Sequence, residues 1–257
     1  MNDLFIGGGG YSGIIFVGAL EYIHEKKLLD LKNLYGCSIG SLIGTLFASG
    51  INPKQILSLF LEIDLNEVVK YNISNIGSNN CLIDDSFLET LMKELWKIHP
   101  ENITLSEFSF KTDVNINIYT TNITTNKYVN LNNKDYPEIR LKDAIKASMS
   151  IPFLFQPVMI SNELYIDGCC KNICGSPPDD VYIYGYCIYL NSNVQPDKYF
   201  SNVLYSIINS VKPRGTFLIE CLNETDHSVY LNLSSLNQKI VLEMYKKGIN
   251  YAKQILN

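Results

Sequence analysis

The chain predicts an α/β fold with a mainly parallel central sheet flanked by helices, and three observations carry that expectation. A short apolar segment, 3–6, breaks at four consecutive glycines, Gly7 to Gly10, and apolar residues at helical spacing follow over 14–29. A second apolar segment near 33–36 runs directly into another helical pattern over 39–49. Strands that alternate with helices in this way pair in parallel, because a right-handed crossover is the usual connection between them.

The remaining elements follow in order. Gly50, ahead of Pro53, closes the second helix. Pro53 sits in the first turn of a helix over 53–64, and Asp84-Asp85 caps an amphipathic run that ends at Pro100, which gives a helical insert or cap over about 53–100. Ile56, Leu57, Leu59, Phe60, Leu61 and Ile63 form an apolar stripe in it, read either as a core-facing helix or as a mobile cap that meets lipid. Thr104-Leu105-Ser106-Glu107 matches a capping box. Alternation over 114–119 and 127–131 predicts two strands around a polar turn. A short helix is expected over 141–148. Pro152 and Pro157 then hold an extended segment, and Ser161-Asn162 turns a hairpin into a strand over 164–167. A strand over 181–190, a helix over 198–211, a strand over 216–220 and a closing helix over 236–256 complete the reading.

With 257 residues and no Pro/Gly/Ser-rich linker, the expectation is one domain over 1–257. The net charge is −5 and Arg140 and Arg214 are the only arginines, which argues against a surface that tracks nucleic-acid phosphates. No run of 18 apolar residues is present, and the first residues lack the basic and apolar regions of a secretion signal, so a cytoplasmic protein is expected. Seven cysteines (37, 81, 169, 170, 174, 187 and 221) have no framework spacing and read as free thiols. Cys169-Cys170 with Cys174 lacks a second pair or a nearby histidine that would complete a metal site, so these are expected to be small buried residues.

Chemistry enters at Gly36-Cys37-Ser38-Ile39-Gly40. A serine between two glycines, where a strand turns into a helix, is the nucleophile-elbow pattern. The small neighbours admit a strained serine backbone, and the helix N-terminus favours negative charge on its oxygen. Such a serine needs oxyanion donors and a base. Gly8-Gly9-Gly10, with Gly13 behind them, offers backbone N–H groups at the mouth of a helix. The same glycines spell a dinucleotide-binding loop, but the second strand ends in Cys37-Ser38 instead of the acidic residue that would hold a ribose. Of the three histidines, His24 and His99 lie in helical segments and read as structural. His227 would complete the chain order Ser38, Asp167, His227 of an α/β-hydrolase triad. Asp167 competes for the same role: it ends a strand, precedes Gly168, and serves as base without a histidine if a dry pocket raises its pKa.

Three blocks together resemble the patatin-like phospholipase family: Gly8 through Gly13, Gly36 through Gly40, and Asp167-Gly168-Cys169. The run Ala147-Ser148-Met149-Ser150-Ile151-Pro152, Pro157 and Asn172 also fits the family's pattern. The resemblance implies a three-layer sandwich and a Ser-Asp dyad of Ser38 and Asp167, with Gly8, Gly9 and Gly10 as the oxyanion hole and Gly13, Gly36, Gly40 and Gly168 in support. It implies hydrolysis of phospholipid or related acyl-lipid esters, transient contact with a membrane surface, and no cofactor or metal. Ser12 stands where the family usually has Arg or Lys, Cys169 where it has Gly or Ala, and Gly175 near its usual proline. Acyl transfer or short-ester cleavage at the same site, a lipid-binding module without activity, and a nucleotide-binding enzyme are the alternatives.

Overall fold

A computed structural model describes residues 2–62, 81–84, 86–171, 184–185, 218–219 and 237–256. Strand β1 (Asp3–Ile6) leads through a 3-10 turn, Gly10–Gly13, into α1 (Ile14–Glu25), and β2 (Asn33–Cys37) leads into α2 (Ile39–Ala48). The first helix stops short of the expected 29 because Lys27 takes a left-handed backbone, φ 53°. The helical region contributes α3 (Pro53–Glu62) and α4 (Ser86–Met92). Helix α5 (Leu105–Thr112) carries the predicted capping box: Glu107 N–H donates to Thr104 Oγ1, and Thr104 N–H donates to the Glu107 carboxylate. Then come β3 (Asn115–Asn122), β4 (Lys127–Asn132), α6 (Leu141–Met149), β5 (Val158–Ile160), β6 (Glu163–Asp167), the short β7 (Tyr184–Gly185) and β8 (Leu218–Ile219), and α7 (Gln238–Leu256). The expected helix over 198–211 lies outside the described residues.

Among the described residues, six strands form the central sheet. Pairing is parallel from β1 through β2 to β3, as the alternation of strands and helices requires. Beyond β3 the sheet turns antiparallel: β4 and β6 both pair with β3, and β5 pairs with β6. The β5–β6 turn is the predicted Ser161-Asn162, with φ 50° and 65°, a two-residue turn of the kind that matches strand twist. β7 and β8 pair with each other in parallel.

The two edges of β3 explain the site. On one edge, β4 covers residues 117 to 122. The other edge is shared: β2 occupies residues 115 to 119 in parallel, and β6 occupies 120 to 122 in the opposite sense. β2 and β6 therefore run toward each other and stop on adjacent residues, Cys37 opposite Tyr119 and Asp167 opposite Thr120. Two C-terminal strand ends meet head to head.

Helix α2 packs on β1 and β2, and α6 on β3 and β6, over a continuous core that includes Leu4, Ile6, Leu34, Leu42, Ile116 and Ile145. Ile56, Leu57 and Phe60 of α3 are buried in that core, and Tyr11 donates from its hydroxyl to the Phe60 carbonyl at 3.1 Å. The described part of the apolar stripe is thus core-facing; Ile63 lies outside the described residues. Helix α7 crosses α1 so closely that a Cβ on Gly18 or Gly248 would collide with the other helix's backbone. Among the described residues no helix is long and apolar enough to cross a membrane.

Candidate active site

Ser38 sits between β2 and α2 at φ 52° and ψ −132°, a backbone conformation in which L-residues are strained by about 1–3 kcal/mol. Neighbouring groups hold it there. Gly40 packs on the carbonyls of Ile6 and Gly7, where a Cβ would collide. Ser41 donates both its N–H and its hydroxyl to the Ser38 carbonyl, at 2.9 and 2.7 Å. The Ser38 N–H donates to Ser148 Oγ at 2.8 Å, and that hydroxyl in turn donates to the Tyr119 carbonyl at 2.7 Å. Ser148, fully buried on α6, therefore ties the strained turn to β3.

The head-to-head strand ends bring Ser38 and Asp167 into contact across 129 positions of sequence: Ser38 Oγ donates to Asp167 Oδ2 at 2.6 Å. The second carboxylate oxygen accepts the Cys169 N–H at 2.8 Å, and the Asp167 N–H donates to the Ser150 carbonyl at 2.9 Å. Both side chains are buried, Ser38 at 4% and Asp167 at 2% exposure. Burial disfavours the carboxylate and pushes the Asp167 pKa from 3.8 up to about 6, while the hydrogen bonds from Ser38 and Cys169 hold it below where burial alone would take it. A carboxylate of that pKa, hydrogen-bonded to a serine hydroxyl, can accept a proton near neutral pH.

The glycine-rich loop abuts the serine: a Cβ on Gly8 would come to 3.3 Å from Ser38 Cβ. Gly9 and Gly10 continue that loop, half-buried, with Gly10 at φ 50°. Gly13 packs against Ile39 and Ile43 of α2, Gly36 against Ser41, and Gly168 against the Tyr119 carbonyl and Cys37. The histidines have other partners. His24 is exposed and edge-on to Phe47, and His99 is buried against Phe108 with its Nε2 3.0 Å from Ser49 Oγ. His227, Asn172, Cys174, Gly175 and the Ser12 side chain lie outside the described residues.

Two features carried no chemical signal in the sequence. Ser148 is one; it stood only as a letter in the family's run. The other is a pair of thiols, Cys37 Sγ and Cys169 Sγ, 3.5 Å apart and both buried. Cys37, Asp167 and Cys169 each place one ligand atom within 4.8 Å of the others. Their donor set suits a bound metal poorly. Both carboxylate oxygens already accept hydrogen bonds, and both thiols are held protonated where a metal needs thiolates. For Cys169 the hydrogen bond with Cys37, then burial, raises the thiol well above its usual range. For Cys37 that hydrogen bond lowers it, but burial and the Asp167 charge outweigh this.

The structure thus joins a layered α/β sheet to a strained serine turn at the C-terminal end of its second strand. The chain belongs to the patatin-like phospholipase family, whose sequence profile matches residues 4–173. It is 28% identical over 177 residues to protein R571 of Acanthamoeba polyphaga mimivirus, covering 65% of this chain and 58% of that protein. It is 27% identical over 174 residues to the "probable lipid hydrolase 463L" of Invertebrate iridescent virus 6, covering 65% of this chain and 59% of that protein. The matches thus span less than two thirds of those relatives. In fold, 99% of the chain superposes on 66% of VipD from Legionella pneumophila, with a TM-score of 0.56 and 15% identity.

Proposed function

We propose that this protein hydrolyses carboxylic esters of phospholipids or related acyl lipids through Ser38 and Asp167. The observation that carries the reading is the 2.6 Å hydrogen bond from Ser38 Oγ to a buried carboxylate whose pKa is pushed up to about 6. Ser38 Oγ attacks the ester carbonyl as its proton passes to Asp167 Oδ2. The negative charge that develops on the carbonyl oxygen meets N–H groups of the loop Gly8-Gly9-Gly10, whose lack of Cβ atoms leaves the backbone open to approach. Asp167 then returns the proton to the departing alkoxide, which leaves as the alcohol, and an acyl-Ser38 ester remains. Water attacks that ester, loses its proton to Asp167, and the fatty acid departs as Ser38 recovers its hydrogen.

The lipid substrate is favoured by the family and by the relative named as a probable lipid hydrolase. Transient contact with a membrane surface belongs to the same proposal. Phe153, half-exposed and at φ 67°, lies three residues after Ser150, whose carbonyl binds the Asp167 N–H. Replacing Ser38 with alanine is expected to abolish hydrolysis of a chromogenic acyl ester and of phospholipid vesicles while the circular dichroism spectrum stays native. Turnover retained in the Ser38→Ala protein would overturn the assignment. Mass spectrometry of products from a panel of phospholipids and neutral lipids, with and without an alcohol acceptor, separates hydrolysis from acyl transfer.

A further inference from the structure

We propose that Cys37 and Cys169 are an oxidisable dithiol that closes into an intramolecular disulfide and thereby disables the neighbouring site. Each cysteine adjoins half of the proposed dyad: Cys37 immediately precedes Ser38, and Cys169 follows Asp167 by two residues. The head-to-head meeting of β2 and β6 brings their sulfurs to 3.5 Å, although 132 positions separate them in sequence.

The chemistry needs a two-electron oxidant, and a peroxide is the class that fits a buried site. Hydrogen peroxide transfers one oxygen to the Cys169 thiol, giving a sulfenic acid and water. The Cys37 sulfur attacks the sulfenic sulfur, forming the S–S bond; the hydroxyl leaves with the Cys37 proton as a second water. Two thiols and one peroxide thus become one disulfide and two waters. Because the attacking species is the thiolate and both thiols are buried, closure is slow at neutral pH and accelerates as pH rises.

Closure acts on the site through contacts already present. The Cys169 N–H holds Asp167 Oδ1 at 2.8 Å, so drawing residue 169 toward residue 37 moves the group that orients the carboxylate. Cys169 Sγ also fills the space over the Gly8 backbone, so the same movement disturbs the glycine loop beside Ser38. The loss of activity rests on the Ser38–Asp167 reading; formation of the bond does not.

The test is treatment of the reduced full-length protein with hydrogen peroxide at pH 7 and pH 8.5, followed by blocking of free thiols, proteolysis without reductant and mass spectrometry. A linked pair of peptides containing Cys37 and Cys169, formed faster at pH 8.5, is expected. Ester turnover should fall at least tenfold in step with it and return on treatment with dithiothreitol. Cys37→Ala and Cys169→Ala proteins, each compared with its own untreated activity, should lose the linked peptide and the reversible inhibition. Blocked, unlinked Cys37 and Cys169 after oxidation would overturn the proposal, as would a quantitative link with turnover unchanged. A reduced protein with no esterase activity would instead count against the hydrolase reading, and the peptide map would still decide whether the dithiol closes.

Discussion

Ser38 and Asp167 share one hydrogen bond, yet the fold strains them in different ways. Ser38 is strained in its backbone, at φ 52° and ψ −132°, while its side chain is a neutral hydroxyl that tolerates burial. Asp167 has an ordinary extended backbone, at φ −50° and ψ 133°, and its cost is electrostatic, a carboxylate held at 2% exposure. The serine half is built locally, by a parallel strand, a tight turn and a helix. The aspartate half is built by an antiparallel strand that arrives along the same edge of β3 from the opposite end. A conformational cost aims a nucleophile without altering its proton affinity, whereas a desolvation cost sets the proton affinity of a base without aiming it. In the proposed dyad, one half supplies direction and the other supplies basicity.

If that division holds, either half alone is useless for turnover. Asp167→Asn is expected to lower kcat by about 1,000-fold or more, and the Asp167→Asn/Ser38→Ala double variant to be no slower than Ser38→Ala alone, since groups acting as a unit are not additive. Additive losses in single-turnover kinetics would break the comparison at its centre. Next in size is the pH profile. Proton acceptance requires ionised Asp167, so kcat/KM should fall about tenfold per pH unit below about 6 and level off above it, given the raised pKa of this group.

The electrostatic cost is also a stability statement. A carboxyl raised from 3.8 to about 6 binds its proton more tightly in the folded state, so its penalty is absent below pH 3.8 and fully present above about 6, at about 3 kcal/mol. Asp167→Asn should therefore leave the protein as stable as the parent, or more so, at pH 8, with the difference shrinking toward pH 4. Urea titrations across that range check the sign, and parallel stability curves for the two proteins would show that the burial cost was misplaced. The smallest effect isolates the backbone: Ser38→Gly should be more stable than Ser38→Ala by about 1 kcal/mol, because glycine accepts φ 52° without a Cβ. Equal melting temperatures would mean that the turn is relaxed.

Legibility followed the same division. The elbow, the glycine loop and the Thr104–Glu107 capping box were readable because each depends on residues a few positions apart, where sterics and local hydrogen bonds decide the conformation. Ser161-Asn162 was readable as a turn for that reason. Asp167 was legible as a candidate through its place at the end of the predicted strand over 164–167, its Asp-Gly turn and the family resemblance. None of these encodes the residue of β3 that Asp167 faces. Ser148 gave no chemical signal, because a hydroxyl that clamps a turn looks in sequence like any buried serine in a helix.

By itself the sequence determined the α/β alternation, the strained serine turn and the glycine loop beside it, all products of short-range geometry. Tertiary structure alone decided that β2 and β6 share one edge of β3 and stop at Tyr119 and Thr120. From that register come the 2.6 Å bond between Ser38 and Asp167, the raised proton affinity of the carboxylate and the contact of Cys37 with Cys169. The physical reason is that strand register is fixed by the burial of whole faces across distant segments, and no local pattern around residue 38 or residue 167 contains it.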